Sequence, residues 1–222
     1  MIKTEAIKKY ISAIDMSSSQ ITNLNIDSVD IAGDYTPVYL TDLEEFANLE
    51  NLQLNNLDIS KKEIELLSKC KKLKSLSFYQ CDFSLDCDFA SLKFLSSISI
   101  TRCNNFSVEN LSKLNLSEIS ITNQDLQNFG FVDNHNLKKL RVVNCQLKTY
   151  ELPEKLENLQ ILDLSYTPAT DLMNIRGYSN LQKVYFDDEQ IVANKALLLM
   201  LERNGIKISN QDNISQKIAG EG

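Results

Sequence analysis

Cysteine and histidine are the residues of this chain whose types could support redox, metal or nucleophilic chemistry. The sequence contains five cysteines, Cys70, Cys81, Cys87, Cys103 and Cys145, and one histidine, His135. An odd count without a CxxC pair argues against a disulfide framework and a tetrahedral zinc site. We therefore expect no metal and no cofactor. Cys81, Cys103 and Cys145 occupy equivalent positions of a repeat and are expected to be buried structural thiols, and Cys70 and Cys87 are expected in outer segments. The clusters Cys81-Asp82 and Cys87-Asp88 leave a thiol enzyme or hydrolase open as a weaker alternative.

His135 lies in a loop between amides and one acid, in the stretch Asp133 to Asn136. A catalytic couple would need the imidazole within about 3 Å of a nucleophile. We expect this loop on the edge away from the strands, so the histidine is interpreted as a solvated turn residue. The sequence contains no glycine-rich phosphate loop, HExxH or GxSxG. The sequence thus predicts a protein that is not an enzyme.

An eleven-residue string with mostly aliphatic residues at positions 1, 4, 6, 9 and 11 recurs along the chain. The eight copies begin at Ile21, Leu49, Leu73, Leu95, Leu116, Leu137, Leu159 and Leu181. Each copy contains an alternating segment such as Leu52-Gln53-Leu54, which is typical of a short strand with one buried face. The rest of each period is long enough to turn and return, so successive strands should lie parallel and in register. One repeat cannot bury its own leucines, and stacking the repeats supplies a continuous core.

This string resembles the leucine-rich repeat, LxxLxLxx(N/C/T)x(L/I), over residues 21 to about 191. The short period resembles the 22-residue class of internalins and of protein-phosphatase regulatory subunits. The resemblance implies an α/β fold, a right-handed solenoid of about eight repeats with a parallel concave sheet, and a role in protein recognition. Position 9 departs from the family, which usually has asparagine there. Here the position reads Val29, Leu57, Cys81, Cys103, Gln124, Cys145, Thr167 and Glu189. Backbone groups, water, thiols or hydroxyls must then satisfy the turns.

Helical segments are expected on the outer edge and at both ends of the stack. Ser60 to Glu63 and Thr41 to Glu44 have capping-box spacing. Residues 1–20 are expected to form an N-terminal helical cap, with Ile7, Tyr10, Ile11 and Ile14 on one stripe. The eight repeats span 21–191. A C-terminal cap helix and strand span 192–208, with Asn194 at the helix start, Gly205 at its end and Ile206 and Ile208 in the strand, and 209–222 form a frayed tail.

Positions 3, 5, 7 and 8 of each string should point away from the core on the strand face. The first five repeats place small neutral groups there, whereas the last three place large and charged ones. Binding energy concentrates on tyrosine and arginine anchors. The predicted protein-binding patch comprises Lys139, Arg141, Ile161, Asp163, Tyr166, Lys183 and Tyr185, with Tyr79 and Arg102 as outliers. Arg141 and Asp163 could instead only satisfy each other across neighbouring strands, which would leave a solvated sheet.

The net charge and the hydropathy limit the classes of partner that this chain can bind. The formal net charge of −7 disfavours nucleic acid. No run of 18 apolar residues occurs, so we expect no membrane span. Charges interrupt the N-terminal stretch, so we expect no signal peptide and a cytoplasmic protein. We also expect a monomer. The function predicted is binding of a protein partner on the concave strand face, as a bacterial regulator, immunity factor or effector. The alternative is a structural protein that self-associates through its convex face or caps.

Overall fold

A computed structural model describes residues 17–29, 40–130, 136–147, 151–153, 156–168 and 172–210. The chain divides into two compact units, of which the first ends at Asn115 and the second begins at Leu116. His135 and the stripe predicted at Ile7, Tyr10, Ile11 and Ile14 lie outside the described residues, as do residues 211–222 of the tail predicted at 209–222. The first two residues of that tail, Ser209 and Asn210, belong to a strand, so this part of the tail prediction is wrong.

The first unit is built on parallel strands that coincide with the alternating segments of the first four strings. The strands are β1 (Asn23–Asp27), β2 (Asn51–Asn55), β4 (Ser75–Tyr79) and β6 (Ser97–Thr101), with the two-residue strands β3 (Asp58–Ile59) and β5 (Asp82–Phe83) paired in a second, smaller sheet. The main strands align in register, with Leu24 opposite Leu52 and Leu52 opposite Leu76. The predicted parallel, in-register pairing is therefore confirmed for this unit.

The second unit repeats this plan. Its strands are β7 (Glu118–Thr122), β9 (Lys139–Val143), β11 (Ile161–Asp163), β12 (Lys183–Phe186) and β13 (Lys207–Asn210), with β8 (Asp125–Leu126) and β10 (Gln146–Leu147) in a two-stranded sheet. Leu140, Leu162 and Val184 follow one another in register across three strands. Both units are thus solenoid-like α/β repeats. The number of repeats, the capping roles of the end segments and the curvature stay predictions.

The cores are formed by the string positions that the sequence assigns to the buried side. Leu52, Leu76, Leu140 and Leu162 are all buried. In the first unit Phe78 packs edge-on against Phe83 with ring centroids 5.0 Å apart. Burial of such side chains stabilises the fold by about 1.5–3 kcal/mol each.

Helices lie between the strands. The α-helix α1 (Lys61–Leu67) begins after Ser60, and the predicted capping box between Ser60 and Glu63 is confirmed. The box predicted at Thr41 is wrong, because a 3-10 helix already begins at Leu40 and Thr41 lies inside it. An N-cap residue must precede the first helical residue to accept its free N–H groups.

The C-terminal segment contains α2 (Asp188–Ala193) and α3 (Lys195–Arg203), followed by β13. Asn194 precedes α3, but the prediction that its side chain caps this helix is wrong, because its amide donates to the Gln190 carbonyl of the preceding helix. Gly205 has a φ of 82° after the end of α3, which matches its predicted place at the helix end.

The turns after the strands follow one backbone rule that the sequence pattern does not reveal. The residue at position 8 has a positive φ in six consecutive strings, at Asn56, Gln80, Arg102, Asn123, Asn144 and Tyr166. Asparagine tolerates this left-handed region, whereas glutamine, arginine and tyrosine rarely adopt it. Regular turn geometry therefore overrides residue preference at Arg102 and Tyr166.

Position 9 satisfies these turns with thiol and hydroxyl groups in place of asparagine, as the sequence predicts. Each of three such side chains donates to the position 6 carbonyl of the preceding string. These bonds run from Cys81 to Leu54 at 3.3 Å, from Cys145 to Ile121 at 3.6 Å and from Thr167 to Val142 at 2.7 Å. The cysteines at position 9 are buried, as expected. Their thiols donate hydrogen bonds to backbone carbonyls at the turns.

Candidate protein-binding surface

The strand face of the second unit presents two rows of side chains that cross neighbouring strands. The first row contains Lys139, Ile161, Lys183 and Lys207, and the second contains Arg141, Asp163, Tyr185 and Ser209. Strict register places neighbours within a row about 4.8 Å apart, measured between strands. Six of the predicted binding residues thus lie together on one face. We call these eight residues the two-row surface.

Asp163 is the main exception to the expected exposure of this surface. Its side chain is only 1% exposed, whereas that of Arg141 is 43% exposed. The Asp163 carboxylate accepts hydrogen bonds from Arg141 Nε at 3.1 Å and from Ser165 Oγ at 2.7 Å. The prediction that Asp163 faces solvent is therefore wrong. Arg141 on the neighbouring strand and Ser165, two residues after Asp163, cover its carboxylate. The cross-strand pair considered from the sequence is present.

Position 7 of the strings is also less exposed than predicted. Asn55, Ser165 and Asp187 all occupy this position, and all three are buried. Asn55 contacts side chains of the strand face, because it donates to Asn25 and accepts from Gln53 at 3.0 Å. Asp187 supports a turn, because its carboxylate accepts from the backbone N–H of Tyr166 at 2.7 Å and of Gln190 at 2.9 Å. These buried polar groups are therefore engaged within the chain.

The other charged members of the two-row surface have weaker local contacts. Lys139 Nζ lies 3.6 Å from the Glu118 carboxylate, and both side chains are well exposed. Such exposed pairs contribute about 0–1 kcal/mol. Lys183 Nζ lies over the ring of Tyr185, 4.2 Å from its centroid. This cation–π contact holds the tyrosine ring and the lysine next to each other on the strand face.

Tyr166 does not belong to the two-row surface. It lies in the turn after β11 with a φ of 59° and is exposed. It borders an open depression of about 700 Å³ that is also lined by Pro168, Asp188 and Glu189. The position 8 turn therefore carries Tyr166 beyond the carboxyl end of the strand, away from the first row at its amino end.

The two predicted outliers lie in the first unit. Tyr79 ends β4, opposite Asn55 on one side and Thr101 on the other. Arg102 is an exposed turn residue with a φ of 52°. Around Asn25 and Gln53 this unit has a depression of about 290 Å³ lined by amides, two serines and two leucines. Asn55 donates to the side-chain oxygen of Asn25 at 2.8 Å, so these amides satisfy one another.

The sequence prediction missed Lys207 and Ser209, the two members of the two-row surface that lie on β13. Lys207 lies directly opposite Lys183. The signal was present, because Ile206 and Ile208 were assigned to a last short strand and alternation then directs Lys207 to the other face. Its omission came from ending the string count before this strand.

The thiols have the electrostatics of buried structural groups. Burial raises the pKa of the Cys145 thiol to about 11 and raises that of Cys70. A hydrogen bond between Cys81 and Cys103 raises the pKa of Cys81 and lowers that of Cys103. Burial also raises the pKa of Cys87, which is the half-buried member of the set. Within the described ranges, no group of three metal-ligating side chains occurs and no helix is long and apolar enough to cross a membrane.

Comparison with known proteins gives a likeness of fold. No family model matches the sequence, and a search of curated proteins found no significant match. Among solved structures, an internalin from Listeria monocytogenes is similar with a TM-score of 0.52 and 17% sequence identity, over 85% of this chain. The chain spans 62% of the length of that internalin chain. This likeness shows the fold alone and agrees with a fold of the leucine-rich-repeat type, while the 22-residue class stays a prediction.

Proposed function

We propose that this chain is a non-enzymatic module that recognises a protein partner through the two-row surface of its second unit. The single observation that carries the proposal is the register that sets Tyr185, Ile161 and the cations of both rows side by side. Aromatic and cationic anchors beside an aliphatic side chain have the composition of binding hot spots. The similarity to an internalin fold supports a recognition role.

Preorganisation is the physical advantage of such a surface. The anchors on β9, β11 and β12 project from strands that are held by parallel neighbours on both sides, and Lys207 projects from β13, which pairs with β12. Lys183 is already placed over Tyr185, and Arg141 over Asp163. Binding then incurs little of the roughly 0.5–1.5 kcal/mol that ordering a mobile side chain costs. A role as a bacterial cytoplasmic regulator, immunity factor or effector is part of the same proposal.

Affinity capture from the native cell tests the proposal. The variant Tyr185→Ala with Lys139→Ala should lose partner capture, because it removes the aromatic anchor and a cation from the same face. Arg141 is left unchanged because it neutralises the buried Asp163. A matched control, Ser99→Ala with Thr101→Ala, alters strand-face residues of the first unit and should retain capture. Equal capture by both variants would move the interface away from the two-row surface.

Self-association is the second candidate, and exposed apolar side chains favour it. Val192 on α2 and Leu199 on α3 are 66% and 56% exposed. Single exposed apolar residues are common, so the arrangement needs a direct measurement. Light scattering across a concentration series distinguishes the candidates: a dimer that Leu199→Glu dissociates would favour self-association, and a monomer at all concentrations would favour the recognition module.

A further inference from the structure

We propose that the partner segment bound by the two-row surface is acidic, with its carboxylates placed against Lys183 and Lys207. This inference rests on the proposed function and names the chemistry of the partner. It starts from a pairing that is unfavourable in the isolated chain: the two lysines lie directly opposite each other on β12 and β13. Like charges in that position on neighbouring strands destabilise a sheet.

Neighbouring cations on the same face have carboxylate partners, whereas these two have none among the residues that the structure describes. Lys139 has Glu118, and Arg141 has the buried Asp163. Among the described residues, no carboxylate lies within ion-pair distance of the ammonium of Lys183 or Lys207. The unneutralised charge of the surface is therefore concentrated at one pair, in a chain whose overall charge is −7.

The surroundings of the pair fit a protein segment better than a nucleic acid. Ile161 lies opposite Lys183 on the neighbouring strand, and Tyr185 lies two residues after Lys183 on the same strand. Both side chains offer apolar contact next to the charged pair. A protein that binds nucleic acid through about 6–10 phosphates needs as many cations, whereas the described part of this face has two lysines without a carboxylate partner. Two carboxylates about 5–7 Å apart, as on alternate residues of an extended segment, complement this spacing next to an apolar side chain.

A peptide of defined charge provides the test on the full chain. The probe is a fluorescein-labelled peptide of about ten residues that alternates Glu with Ala, which places all of its carboxylates on one side when extended. The control peptide has Gln in place of Glu. Anisotropy titrations at low salt should detect binding of the Glu peptide, and about 0.5 M salt should abolish it because exposed charges are then screened.

Two protein variants with the same net charge locate the binding site. Lys183→Gln with Lys207→Gln should weaken binding of the Glu peptide about fivefold or more, which corresponds to two exposed ion pairs. Arg176→Gln with Lys195→Gln removes two exposed cations outside the sheet and should leave the affinity unchanged. Circular dichroism should show that both variants fold like the parent.

Each of three results would overturn the inference: equal binding of the Gln peptide, equal weakening by both double variants, or equally tight binding of an oligothymidylate through the same lysines. The capture experiment separates this inference from the proposed function. A partner lost with Tyr185→Ala and Lys139→Ala but retained with the Lys183 and Lys207 variant would disprove the acidic segment and leave the surface in place. A partner retained by both would disprove the proposed function itself.

Discussion

Arg141 Nε on β9 donates to the carboxylate of Asp163 on β11 across 3.1 Å, and the two residues lie directly opposite each other in the register. The pair is asymmetric, because the carboxylate is almost fully buried and the guanidinium is nearly half exposed. A buried carboxylate needs a cation or several donors to remain charged. Arg141 therefore belongs to the support of the sheet as well as to its surface.

We predict that Arg141→Met lowers the free energy of unfolding by about 2 kcal/mol, because Asp163 would keep its Ser165 donors but lose its cation. The matched control is Lys139→Met on the same strand, whose partner Glu118 is exposed. That change should cost less than about 1 kcal/mol. Denaturant unfolding measures both, and equal losses would show that the buried carboxylate does not depend on Arg141.

The sequence predicted the repeat architecture because alternation and spacing report directly on backbone pairing. Leu52 and Leu76 occupy the same string position, so parallel stacking aligns them, and the structure shows them opposite each other. The capping box at Ser60 was equally readable, since its two hydrogen bonds are local in sequence. The strand pairing and this helix start could therefore be predicted from the repeat period and from residues that are close in sequence.

Side-chain burial on the strand face was less predictable because it depends on cross-strand neighbours. Position 5 is solvent-facing by alternation, yet Asp163 is buried by Arg141, which lies 22 residues earlier in the chain. Tyr166 was placed in the patch because position 8 was expected to point away from the core, but the left-handed turn moves it past the strand end. The burial of Asp163 is a tertiary effect that a single string does not encode, and the turn geometry at Tyr166 runs against the residue's own preference.

The Thr167 hydroxyl is predicted to be a major polar support of the turns in the second unit. It donates to the Val142 carbonyl and accepts from the Cys145 N–H at 3.2 Å, and all of these groups are buried. Thr167→Val keeps the shape but leaves both backbone groups without this partner, so we expect a loss of about 2 kcal/mol in unfolding free energy. The control Thr122→Val alters a half-exposed hydroxyl and should change stability by less than about 0.5 kcal/mol. Similar losses in the two variants would contradict the role assigned to Thr167.

Gln190 performs the corresponding task at the last string. Its Nε2 donates to the carbonyls of Leu164 at 2.9 Å and Thr167 at 2.6 Å, while its Oε1 accepts from the Asp187 N–H at 3.1 Å. We predict that Gln190→Leu lowers the unfolding free energy by about 2–3 kcal/mol, since three buried backbone groups lose a partner at nearly constant side-chain volume. Gln182→Leu, at an exposed position, serves as the control. If thermal denaturation shifts both variants alike, the side-chain amide of Gln190 is not what holds this turn.

The five thiols should react with an alkylating reagent in an order set by their burial. Cys87 is half buried, whereas the other four are buried. Only the thiolate reacts, and burial raises the pKa of Cys87 and Cys145, whereas the hydrogen bond with Cys81 lowers the pKa of Cys103. Because Cys103 is buried, access of the reagent and not the pKa should set the order. We expect iodoacetamide to modify Cys87 first in the native protein and the remaining thiols at rates close to that of unfolding. Mass spectrometry of peptides resolves the sites, and Cys87→Ser should remove the fast phase; rapid native labelling of Cys81 or Cys145 would contradict their placement in the core.

Tyr178 should make the protein unstable at alkaline pH. Burial raises the pKa of its hydroxyl above the ordinary value of about 10, and the hydroxyl donates to the Pro153 carbonyl at 2.6 Å. Above pH 10 the unfolded chain releases this proton while the folded chain retains it, so rising pH favours unfolding. The stabilising contribution is thus fully present below about pH 10 and is lost as the pH approaches the folded pKa.

The variant Tyr178→Phe isolates this effect. At pH 7 it should be less stable than the parent by about 1 kcal/mol, because the hydrogen bond to Pro153 is lost. Above pH 10 the difference should shrink by up to about 1.4 kcal/mol for each pH unit, since phenylalanine has no proton to release. Urea unfolding of both proteins between pH 7 and about pH 11 measures the difference, in which the titration of other tyrosines and cysteines cancels. A difference that stays constant with pH would mean that the Tyr178 hydroxyl ionises as readily in the folded chain as in the unfolded one.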